Sequence, residues 1–148
     1  MEAAMENILI SACLMGCNTR YKGDSQATPF LTELMARYHL IPICPEQLGG
    51  LATPRDPSEI VGDRVVSIAG RDVTEQYSRG AEETLRLAKL YNCHTAILKE
   101  RSPSCGHGTV YDGTFSGTLT TGDGITAALL LANGIRVVGE SRIESELL

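Results

Sequence analysis

Two hydrophobic rhythms alternate along the chain. Short, largely apolar runs occur at Asn7–Ala12 (NILISA), Leu40–Ile43 (LIPI), His94–Lys99 (HTAILK) and Ile135–Val138 (IRVV). Runs of this kind predict strands covered on both faces, as in a parallel sheet. Between them the spacing turns helical. Pro29–His39 places Phe30, Leu34 and then Arg37 with Tyr38 at helical intervals, and Pro29 suits a first turn. Asp72–Asn92 carries a stripe of Tyr77, Ala81, Leu85, Ala88 and Tyr91. Asp72 with Glu75 reads as its capping box, and Glu82 with Arg86 as a pair on its wet side. Gly122–Asn133 contains ITAALLLA and stops before Gly134, a C-terminal cap residue.

Strands alternating with helices predict βαβ units. The expected fold is α/β, a Rossmann-like parallel sheet of about four strands flanked by helices. Two short hairpin insertions interrupt it, Ile60–Val66 around Gly62-Asp63 and Val110–Phe115 around Asp112-Gly113. Pro45–Pro57, with Gly49, Gly50 and Pro54, reads as a shaped loop. No repeat or linker divides residues 1–148, so one domain is expected.

Composition narrows the function. Hydrophobic residues make up 43% and charged residues 21%, ordinary values for a globular domain. A formal charge of −5 disfavours a nucleic-acid surface. No apolar run approaches the roughly 20 residues that cross a bilayer. The start, MEAAMENILISAC, is acidic where an export signal is basic, which predicts a cytoplasmic protein.

The five cysteines change the picture most. An odd number in a reducing compartment predicts no disulfide framework. Cys13 follows the first predicted strand, Cys44 the second and Cys105 the third. Loops after the C-terminal ends of parallel strands gather on one edge, where such folds bind ligands. Cys93 precedes its strand on the opposite edge and reads as a small core residue. Cys17, four residues after Cys13, is open as a fourth ligand or a neighbour. Three thiols at one edge can hold an iron–sulfur cluster, hold zinc, or supply a nucleophile. The usual paired zinc spacing is absent. The stretch Cys13–Arg20 is a loose match to a thiol phosphatase loop, with six intervening residues instead of five.

Five segments carry a resemblance. SACLMG at 11–16, RYKGD at 20–24, CPEQLGGLATPRDPSE at 44–59, LKERSPSCGHGTVYDGTFSG at 98–117 and GDGITAALLLANGI at 122–135 are similar to the thiouracil desulfidase (TudS) family. The similarity spans about Ile8 to Val138. It implies removal of sulfur from a thiolated pyrimidine such as 2-thiouracil. It also implies a [4Fe–4S] cofactor with three cysteine ligands, matching Cys13, Cys44 and Cys105, and one open iron. The family often reads RYDG or RYNG where this chain has Lys22. The implied partner is a small thiobase, with no nucleic acid, no membrane, and a monomer or weak dimer.

The residues near those thiols suit such chemistry. An open iron is a Lewis acid for soft sulfur, and hydrolysis of the C–S carbon needs a proton acceptor and donor. Glu46, two residues from Cys44, is the expected acid/base. Ser102 is the expected relay and Ser104 the third catalytic candidate. His107 is a reserve base. Arg20 and Arg55 are read either as anion-binding or as ordinary ion pairs. His39 is expected at a helix end, where its charge would suit the dipole.

Overall fold

The computed structural model describes residues 5–148. The first four residues of the stretch read for an export signal lie outside these. In chain order the strands are β1 (Glu6–Ser11), β2 (Tyr38–Ile43), β3 (Ser58–Val61), β4 (Arg64–Ser67), β5 (Thr95–Leu98), β6 (Thr109–Tyr111), β7 (Leu119–Thr121) and β8 (Arg136–Gly139). The helices are α1 (Leu31–Arg37), α2 (Pro45–Leu48), α3 (Thr74–Leu90), α4 (Ile125–Ala132) and α5 (Ile143–Leu147).

A four-stranded sheet in the order β2-β1-β5-β8 forms the centre, and all of its pairings are parallel. Its strands bury both faces. Leu9, Ala96, Leu98 and Val137 pack with Ala88 of α3 and with Ala127 and Leu130 of α4. Ile8, Ile10, Ile97 and Val138 pack with Leu34 of α1 and with Ile143 and Leu147 of α5. This is the expected α/β sheet with helices on both sides. The two hairpins, β3–β4 and β6–β7, stand apart from it as antiparallel pairs.

Several local expectations need correction. Helix α1 ends at Arg37, and Tyr38 is already extended, so His39 lies in β2 and not at a helix end. Asp72 accepts the Thr74 N–H at 3.0 Å, but Glu75 pairs forward with Arg79 at 3.3 Å instead of reaching back. The expected Glu82–Arg86 pair is not among the ion pairs of the described residues. Tyr91 is exposed; Thr84 completes the buried stripe by donating to the Gly80 carbonyl at 2.8 Å. The second hairpin does not turn at Asp112-Gly113. Asp112 instead opens a longer loop, accepting from the Thr114 N–H while its own N–H donates to Thr118. Helix α2 occupies the start of the expected Pro45–Pro57 loop.

Candidate active site

The sheet order makes the site. Connections from β1 lead to β2 on one side, and those from β5 lead to β8 on the other. The loops after β1 and β5 therefore diverge and leave a crevice at the C-terminal edge. A cavity of about 540 Å³ opens there, within the range of roughly 300–1,000 Å³ usual for small-molecule sites. Cys13, Cys44, Cys105, Glu46 and Ser102 all line it.

Each thiol is placed by its local backbone. Cys13 sits in a tight 3-10 turn, Ala12–Met15, closed by Gly16 at a φ of 98°. Cys44 is the N-cap residue of α2, and its thiol donates weakly to the Thr19 carbonyl at 3.8 Å. Cys105 is held by a serine turn: Ser102 Oγ accepts the N–H groups of Ser104 and Cys105, both at 3.0 Å. Cys13 and Cys105 are each 6% exposed.

Burial decides the state of these thiols. It pushes Cys13 up to about 11, with Lys99 opposing and Cys44 adding. It raises Cys44, against the pull of the Gln47 N–H and Arg55. It raises Cys105 most, with the charges of Glu46, Cys44 and Cys13 adding. A thiol nucleophile is favoured by the opposite shift. Among the described residues, no three Cys, His, Asp or Glu side chains form a constellation for one metal ion. Three thiols lining one cavity are the donor type an iron–sulfur group would need.

Glu46 is clamped beside them. Its Oε2 accepts from Arg55 at 2.5 Å and its Oε1 from the Tyr77 hydroxyl. Burial, with the Glu46 charge adding, raises the Tyr77 phenol above its ordinary value. Arg55 is itself tied to the Thr19 carbonyl at 2.9 Å and to Thr53 Oγ1 at 2.8 Å.

Residues 8–142 match the 2-thiouracil desulfurase family. The chain belongs to that family. Protein YbbK of Bacillus subtilis (strain 168) is 45% identical, covering 92% of this chain and 97% of its own. The solved structure of the [4Fe-4S]-dependent thiouracil desulfidase TudS is 44% identical, with a TM-score of 0.89 over 95% of this chain and 94% of that one.

On this desulfurase scaffold the remaining candidates separate. Ser104 is fully buried and shares a 2.8 Å hydrogen bond with Thr126 Oγ1. It does not line the cavity. Cys17 is exposed and also lies off the cavity lining, as do Cys93 in the core and His107, which pairs with Asp123 at 2.8 Å. Arg20 pairs with Asp24 and Arg55 with Glu46, and both arginines also line the cavity. Sequence reasoning missed Tyr77, which donates to Glu46, and also Lys99 and Glu59, which line the cavity. Tyr77 was legible only as part of an apolar stripe. Lys99, just past β5, had the same strand-end signal as the cysteines.

Proposed function

We propose that this desulfurase-family protein hydrolyses the carbon–sulfur bond of a thiolated pyrimidine such as 2-thiouracil, using a [4Fe–4S] cofactor held by Cys13, Cys44 and Cys105 with one iron open. Water enters; the oxo-pyrimidine and sulfide leave, with no net electron transfer. The observation that carries the reading is the meeting of three thiols, from three adjacent strand ends, in one cavity. The cofactor, when bound, supplies a Lewis acid for the soft sulfur of the thiobase.

The protein's own groups handle the protons. Glu46 accepts the proton of the attacking water, and Arg55 and Tyr77 hold its carboxylate in one orientation. Ser102 plays a narrower part than a two-way relay. Both amides of its turn occupy its oxygen as acceptor, so its O–H is left to donate toward the cavity. It orients the substrate or gives a proton to the departing side. One domain carries the whole site, and a reducing cytoplasm keeps its five thiols free. Among the described residues no helix is long and apolar enough to cross a membrane.

Anaerobic purification, followed by iron and sulfide analysis and a 2-thiouracil turnover assay, tests the reading. The expected result is about four irons and four sulfides per chain, with release of uracil and sulfide. A fully loaded protein that releases no sulfide overturns it.

A further inference from the structure

Glu59 of β3 is a second carboxylate in the cavity, and the steps above leave it unused. It is only 8% exposed. Carboxylates buried to this degree normally meet a cation or a full set of donors. Among the described residues Glu59 makes no ion pair. Its Oε1 accepts two backbone N–H groups from the loop between β6 and β7, Gly113 at 2.9 Å and Phe115 at 3.2 Å. Its Oε2 takes no bond and is not among the sealed-off polar atoms. The open space beside it is the cavity. The end of β6 brings Tyr111, and the same loop Phe115, to the cavity wall, apolar faces suited to a flat ring.

Building on the desulfurase reading, we infer that Glu59 Oε2 accepts a ring N–H of the thiobase and so determines which bases enter. A carboxylate bonded to a ring N–H is a charge-assisted pair, and a base alkylated at that nitrogen leaves the buried oxygen without a donor. The pocket therefore selects thiobases with a free N–H beside the C–S carbon. The contact also links the substrate to both hairpins, since Glu59 belongs to one and grips the loop of the other.

The test compares 2-thiouracil with its 1-methyl and 3-methyl forms on the cluster-loaded wild type and on Glu59→Gln. Glutamine keeps an oxygen for Gly113 and Phe115 but offers an NH₂ to the cavity, donor against donor. The expected result is unchanged iron content and a kcat/KM for 2-thiouracil lowered about 10–100-fold, mostly in KM. One methylated base should be poor in the wild type by a similar factor and lose little more in Glu59→Gln. Equal losses for all three bases, or no loss, overturn the assignment. If Glu59→Gln fails to fold, Glu59→Asp, whose shorter chain withdraws the oxygen, serves in its place, and an undiminished methyl penalty overturns the assignment. No sulfide from the loaded wild type with any base strikes at the reaction instead. Calorimetric binding of uracil to wild type and Glu59→Gln then decides the Glu59 contact, and equal affinities overturn it.

Discussion

Ser102 and Ser104 show how two like residues in one motif part company. Both follow β5 and flank Pro103. Ser102 turns its oxygen onto the amides that set Cys105, whereas Ser104 is buried against Thr126 of α4. Nothing in the string SPSCG distinguishes them, because the difference lies in where α4 packs. Ser104→Ala is expected to leave turnover per cluster unchanged and to cost about 1–3 kcal/mol in urea unfolding, the penalty of leaving the Thr126 hydroxyl unpaired. The proposed ligands are expected to behave differently. Cys13→Ala, Cys44→Ala and Cys105→Ala should each lose iron after anaerobic reconstitution, while Cys17→Ala and Cys93→Ala retain it. A Cys44→Ala protein with full iron content would end the proposed ligation. Glu46→Gln should keep its iron and lose turnover by at least about 10²-fold, the usual worth of a positioned acid/base. Normal turnover in that variant would place the base elsewhere. The thiols were legible because strand-end position follows from hydrophobic rhythm. The clamp on Glu46 was not, because Tyr77 and Arg55 reach it from distant segments.

Helix α2 shows what escapes a pattern at the scale of elements. Four residues framed by Pro45 and Gly49 carry no periodicity, so the segment reads as loop. It is helical because α3 accepts it at close range. A Cβ on Gly80 would run into the Pro45 carbonyl, and one on Gly49 into the Gln76 carbonyl. Two bare backbones thus cross where side chains would hold them apart. The crossing sets the site, since α2 is capped by Cys44 and carries Glu46. Gly80→Ala is therefore expected to destabilise by about 1–3 kcal/mol through overpacking and also to lower iron loading, although Gly80 touches no ligand. Chemical denaturation and iron analysis check the two effects together; a destabilised protein with full iron would show that α2 does not need this crossing to present Cys44. The hairpin error has a similar origin. Asp112-Gly113 is a strong local turn signal. It was overridden by Glu59, which takes the Gly113 and Phe115 amides and spreads the turn into a loop. The sheet itself was legible for the opposite reason: its strands are covered on both faces, so their apolar runs depend little on long-range partners.

Across the whole molecule, the site sets fold against function. Cys13 and Cys105 are buried deeply enough to pack in the two main hydrophobic clusters, so the cofactor-free chain keeps them as neutral thiols. The consequence for stability has a definite sign. Burial lifts Cys13 from 9.0 to about 11 in the native state. Between these values the unfolded chain binds fewer protons than the folded one. The contribution of Cys13 is thus fully present below about pH 9 and is lost as pH rises through 11, by up to about 1.4 kcal/mol per pH unit. Under the proposed ligation the relation reverses: a thiolate held by iron would carry no proton, so the loaded protein would gain stability as pH rises toward 9 and be level above it. Other groups titrate in the same window, so the comparison that isolates this thiol is wild type against Cys13→Ala, both free of cofactor. Their difference in unfolding free energy should shrink between pH 9 and pH 11. The fully loaded wild type, measured over the same range, should show no Cys13-dependent decline. A cofactor-free difference that stays constant to pH 11 would mean that Cys13 ionises as freely in the fold as in the unfolded chain, and burial would no longer explain a neutral thiol at this position in the cofactor-free protein.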